Sequence, residues 1–222
     1  MEQKLFDIFS LEESMSTLPE SNNNYSSSKV GKGYKLFRVK DGKLYPPMVS
    51  NPDNASTPIG VWVDAQAGEF AGYSKTGRMR VKSTGSGSLA YRPGYHCADY
   101  PLAPQFYRTN KETGEKEFPR DFVWAECEYV ADIDYQEEAM SYGVTKSGKF
   151  QHSLAGLPKV PVDGFYRYRT NPNPDTVPWI ITGAIKVNRI LDDFEVSAIL
   201  KDFDKTAPNR QGGNKTLKEL GF

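Results

Sequence analysis

Nineteen glycines and 15 prolines punctuate these 222 residues. A glycine costs a helix interior about 1 kcal/mol and a proline about 3 kcal/mol relative to alanine. Their spread along the chain therefore favours short strands joined by many turns over a helix bundle. FVWAECEYVADIDY (122–135) is the clearest strand: its alternation puts Val123, Ala125, Cys127 and Tyr129 on one face. YKLFRV (34–39), GVWVDA (60–65), SLAYRPGYH (88–96), FYRYRT (165–170) and WIITGAIKVNRIL (179–191, one or two strands) read the same way. Asp41-Gly42 is a hairpin-type turn into KLYPPMV.

Between these strands the expectations are irregular. Residues 66–88, rich in Gly, Ser, Thr and Lys, read as one long loop, and 143–161 as irregular. DYPLAPQFYRT (99–109) predicts a short helical turn with Pro101 near its start. NPNPDTVP, with three prolines in eight residues, cannot hold regular structure. A helix follows Asp192, an N-cap with Glu195 three positions later, and Phe194, Ile199, Leu200 and Phe203 form its apolar side. The sum is six to eight short strands and two or three helices, a single α+β domain.

The domain is expected at 31–204. Before it, Leu5, Phe6, Ile8, Phe9 and Leu11 predict an amphipathic helix over 1–16, either packed on its own domain or docking a partner. Residues 17–30 are Ser/Asn-rich and read as a linker. Residues 205–222 read as a tail ending in a last turn, TLKEL.

Composition excludes several classes. Hydrophobic residues are 38% and the mean hydropathy is −0.61. No apolar run approaches the roughly 20 residues of a membrane span, so no membrane partner is expected. The first residues lack a basic n-region, which predicts a cytoplasmic (bacterial host) or virion-associated location. Two cysteines and two histidines, His96 and His152, make neither a disulfide framework nor an ordinary metal site, so no metal is expected.

Lys+Arg and Asp+Glu number 28 each. That balance argues against indiscriminate nucleic-acid binding. It conceals an asymmetry: residues 31–120 carry 14 basic against 8 acidic residues, and 121–200 carry 7 against 12. The excess of cations centres on Lys75, Arg78, Arg80, Lys82 and Arg92, interleaved with Gly, Ser and Thr. Such a loop is either simply solvated or a phosphate or nucleic-acid contact. Other candidates are His96 and Asp99 in YRPGYHCAD, read as a proton-exchange group or as structural hydrogen bonders. Glu126 and Glu128 share one strand face and either meet solvent or line a cleft. FYRYRT sets Tyr166 and Tyr168 on one face and Phe165, Arg167 and Arg169 on the other, suited to stacking a base or to cross-strand pairing.

The ordered segments YKLFRV, GVWVDAQAGE, LAYRPGYHCADYPLA, VWAECEYVADIDYQ, YRYRTNPNP and ITGAIKVNRIL resemble a domain of large multi-domain proteins of bacteriophages and conjugative elements. That resemblance, over about residues 33–200, implies a mobile-element accessory protein and supplies no activity.

More distantly, the order of elements is similar to the ADP-ribosyltransferase superfamily. The resemblance rests on Arg38 in the first strand and on Gly94, Tyr95, Asp99, Ala103 and Phe106 in the second motif. It implies a small, mostly antiparallel split sheet with short flanking helices. It also implies an NAD or nucleotide cleft with Arg38, His96, Glu126 and Glu128 as catalytic residues and Phe37, Tyr95, Arg92 and Asp99 as cofactor contacts. A fixed carboxylate there would stabilise a cation developing at the anomeric carbon. The closing strand carries Thr182 where that superfamily has its Glu, and Tyr95-His96-Cys97 replaces its Ser-Thr-Ser motif, leaving Glu126 or Glu128 to act. The other reading is a non-enzymatic module, a host-factor inhibitor or virion-associated protein, contacting a host protein or nucleic acid through the basic loop, the Tyr/Arg strand and the N-terminal helix.

Overall fold

The computed structural model describes residues 16–75, 77–145, 147–152, 154–169 and 177–222. The expected helix over 1–16 and the NPNPD segment lie essentially outside the described residues.

The fold is α+β, with mostly strands and few helices. Its centre is β1 (Val30–Lys40), which pairs antiparallel with β10 (Phe122–Val130) from Val30 opposite Val130 to Arg38 opposite Phe122. Asp41 and Gly42, both at positive φ, turn β1 back into β2 (Lys43–Tyr45). The edge beyond β10 is built by β14 (Ala184–Leu191) and then β3 (Trp62–Asp64). On the other side lie β7 (Tyr95–Ala98), β13 (Trp179–Thr182), β12 (Gly164–Tyr168) and β11 (Ile133–Asp134). Among the strand pairs of this sheet in the described residues, β11–β12 alone is parallel. The result is one nine-stranded mixed sheet, larger than the small sheet the resemblance implied.

The alternation of β10 holds. Val123, Ala125, Cys127 and Tyr129 enter one core layer with Phe37, Val63, Tyr95, Ile180, Ile185 and Val187. The opposite face packs Tyr34, Leu36, Trp124 and Leu191 beneath Val196 and Leu200 of α2 (Asp193–Asp202). Its capping box forms as expected: Asp192 accepts from the Phe194 and Glu195 amides, and Glu195 accepts from the Asp192 amide. A short helix absent from the sequence reading, α1 (Gln136–Ser141), buries Ala139 against Leu157, Tyr166 and Ile181. The 99–109 turn is helical only at Pro104–Phe106, five positions after its expected start.

The segments between the main strands are more ordered than expected. The stretch 66–88 is not one loop: β4 (Phe70–Tyr73), β5 (Met79–Lys82) and β6 (Ser88–Ala90) pair into a three-stranded antiparallel ribbon. Residues 108–117 add a small hairpin, β8 (Arg108–Thr109) and β9 (Lys116–Glu117). Of residues 17–30, read as a linker, 17–29 lie on the body and Val30 opens β1: Leu18 and Tyr25 are buried. They are tied down because Ser21 Oγ and the Tyr25 hydroxyl donate to the two oxygens of Asp64 at 2.7 and 2.6 Å. Losing a proton there would set a phenolate against a carboxylate, so burial and the Asp64 bond push the Tyr25 phenol up to about 12. The tail is docked too, through Arg210 and a capped last helix, α3 (Leu217–Leu220).

Candidate functional site

The sheet's two halves meet at one register pair, Tyr34 of β1 opposite Ala98 of β7. From there β7 stays zipped to β13 along its whole length, while β1 stays with β10. Gly94 starts this arrangement. Its φ of +133° suits glycine, and a Cβ there would stand 2.6 Å from Ile181 Cγ2. Past the bridge the strands part, and a cavity of about 790 Å³ opens between them and the loops 46–54 and 64–69. That volume is in the range of small-molecule sites.

Both faces of the fork contribute side chains to its lining. Lys35 and Tyr95 come from the face of the first core layer, His96, Trp179 and Phe106 from the opposite face, and Asp64 and Tyr168 complete the wall. Arg92, Tyr91 and Lys82 lie toward the ribbon. The Arg92 guanidinium stacks 4.4 Å from the Tyr168 ring centre and donates to the Ala155 carbonyl. His96 is walled by Tyr168 and Trp179 at ring distances of 6.0 and 6.3 Å. Burial first, then the charges of Lys35 and Arg92, hold its imidazole down to about 3, so it is neutral at ordinary pH. Its Nδ1 lies 3.2 Å from the Gly94 carbonyl, so this nitrogen carries the proton and donates.

Lys35 is the residue the sequence reading missed. It is 5% exposed in the middle of the sheet. Its Nζ donates to the His96 backbone carbonyl at 3.3 Å, an acceptor left open where the strands part, and lies over the Phe37 and Tyr95 rings. No carboxylate pairs with it among the described residues. Burial lowers its affinity for a proton. The signal was present: alternation in YKLFRV puts Lys35 on the face of Phe37 and Val39, where an apolar residue is expected.

Of the expected site residues, His96, Tyr95, Arg92, Lys82 and Tyr168 line the cavity. The others do not. Arg38 is exposed and pairs with Asp121 at 3.0 Å. Glu126 and Glu128 share a face as expected, but Glu126 pairs with Lys32 and Arg189 and Glu128 with Lys186 at 2.6 Å. Register explains this: Lys186 stands opposite Glu128 and Arg189 opposite Glu126 across β10 and β14. Phe37 is fully buried in the first core layer and offers no surface to a cofactor. Asp99 is held by Arg167 at 2.9 Å. Lys75 and Arg78 are exposed around the ribbon's first turn, and Arg80 folds onto Ser88. Lys82 pairs with Glu69 at the cavity rim.

Comparison with protein families, curated proteins and solved structures finds no match for this chain in any of the three. Among the described residues no helix is long and apolar enough to cross a membrane.

Proposed function

We propose that this chain is a ligand-binding module, a bacteriophage or mobile-element accessory protein whose cavity takes a nucleotide-like anion such as NAD. The observation that carries this reading is the meeting of cations and rings at the β1/β7 fork. Arg92 and, at the rim beside Glu69, Lys82 supply positive charge, and Tyr95, Tyr168 and Trp179 supply flat apolar surface. Phosphates favour guanidinium and ammonium groups, and a base or nicotinamide ring favours aromatic walls.

The ADP-ribosyltransferase-like architecture belongs to this proposal through the order of the sequence motifs alone, and we favour binding over transfer. Glycosyl transfer needs a carboxylate free to face the anomeric carbon. Glu126 and Glu128 stand in cross-strand ion pairs away from the cavity. Asp64, at the cavity wall, already accepts from Ser21, Asn23 and Tyr25.

Calorimetric titration of the full chain with NAD, ADP-ribose and ATP tests the reading. At least one should bind, and Arg92→Ala and Trp179→Ala should each weaken it about tenfold or more. Absence of binding by all three would overturn it. Labelled NAD should leave no label on the chain or on lysate proteins.

A second reading rests on the ribbon. Phe70 and Tyr73, stacked edge to face at 5.2 Å, are 49% and 68% exposed beside Lys75 and Arg78. Exposed rings among cations suit single-stranded nucleic acid. A steep loss of oligonucleotide affinity with salt is then expected, and a flat response would exclude it.

A further inference from the structure

We propose that Lys35 is an amine nucleophile that captures a carbonyl compound in the cavity, holding an anionic aldehyde or ketone as an imine. The inference rests on the cavity reading above and names the reactive group its ligand carries.

A lysine in the middle of a sheet core is costly, because its ammonium loses most of its hydration. Buried lysines are normally matched by a carboxylate, and Lys35 has none among the described residues. It has one backbone carbonyl, two flanking rings and a place in the wall of a large cavity. Burial favours the neutral amine, which is the nucleophilic form. A neutral imine also suits this site, since it removes the desolvated charge altogether.

The step balances without a co-reactant. The Nζ lone pair attacks the carbonyl carbon, and the C=O π pair moves onto oxygen. Two protons leave nitrogen and join that oxygen, water departs, and the C=N bond forms. The Tyr95 hydroxyl shares the wall but keeps its proton and donates it to the Asp64 carbonyl at 3.3 Å, so the two protons pass from nitrogen to oxygen directly or through solvent in the cavity. Arg92 and Lys82, toward the ribbon side of the same cavity, offer charge to a phosphate or carboxylate on the ligand.

The test uses pyridoxal 5′-phosphate as the probe, because it joins an aldehyde, a ring and a phosphate. The full chain is incubated with a slight excess, reduced with borohydride, and mapped by peptide mass spectrometry. Lys35 should carry the adduct at least tenfold ahead of exposed lysines such as Lys75. Its labelling rate should level off at lower pH than theirs. Lys35→Met and Lys35→Arg, each checked for cooperative unfolding, should lose that adduct and leave surface labelling unchanged. Labelling spread over surface lysines with Lys35 spared would overturn the proposal, making Lys35 a cap on the His96 carbonyl. The two readings fail separately. Nucleotide binding without Lys35 labelling sinks only the nucleophile, and Lys35 labelling without binding of NAD, ADP-ribose or ATP sinks the nucleotide reading and leaves the nucleophile standing.

Discussion

Arg210 and Asp193 form a bidentate ion pair inside the protein, Nε to Oδ2 at 2.6 Å and Nη2 to Oδ1 at 2.7 Å, with the arginine side chain 2% exposed. The remaining guanidinium nitrogen donates to the Pro119 and Phe122 carbonyls, and the Lys215 amide donates to Asp193. This pair fastens residues 205–222 to the first turn of α2 and to the start of β10. Arg210→Ala should cost about 3–5 kcal/mol, because it leaves a buried carboxylate without its partner. Urea denaturation measures this, and replacing both members together by apolar residues should recover a large part of the loss.

Gly31 lies beneath the Tyr129 ring, its cross-strand neighbour; a Cβ at Gly31 would sit 2.2 Å from Tyr129 Cζ. Gly31→Ala should therefore destabilise the β1–β10 pair by about 1–3 kcal/mol. In a double-mutant cycle Tyr129→Ala should cancel most of that cost, since the ring is what the methyl meets. An additive result would refute this reading of the contact.

Acid should destabilise the fold through His96. Its ordinary value is 6.5 and the folded value is about 3, so the unfolded chain binds a proton that the folded chain refuses. Stability is then full above about pH 6.5 and falls as pH drops toward 3. The loss is on the order of a few kcal/mol, reduced by whatever water reaches the ring from the cavity mouth. Unfolding free energies between pH 3 and 7 should show a shallower slope for His96→Gln than for the parent chain.

Lys35→Met should leave the protein at least as stable at neutral pH, with an expected gain of about 1–2 kcal/mol, because the substitution removes a desolvated amine from an apolar layer. A marked loss of thermal stability would instead mean that the bond to the His96 carbonyl is structurally required.

What could be read from the sequence divides by range. The Asp192/Glu195 capping box and the alternation of 122–130 were legible because each depends on residues three or two positions apart. The ribbon in 66–88 was not: Phe70 meets Val81, and Val81 meets Leu89, across polar turns, so pairing rather than periodicity makes those strands. Leu18 and Tyr25 hid in a Ser/Asn-rich stretch because their anchors are distant in sequence: the Leu18 amide donates to the Ser56 carbonyl, and Tyr25 to Asp64, 39 positions beyond it.

The candidate site divides the same way. The sequence by itself determined short strands, one capped helix, the shared face of Glu126 and Glu128, and a local concentration of Arg92, Tyr95 and His96. Only the tertiary structure decided which of these meet. Cross-strand register set Lys186 and Arg189 against the two glutamates and removed them from the cleft. The single Tyr34–Ala98 pair opened the sheet beside Lys35 and turned a lysine inside an ordinary strand into the wall of a cavity. The physical reason is that a residue's chemistry follows from its solvent and its neighbours, and for Lys35 the neighbour that matters, His96, lies 61 positions away.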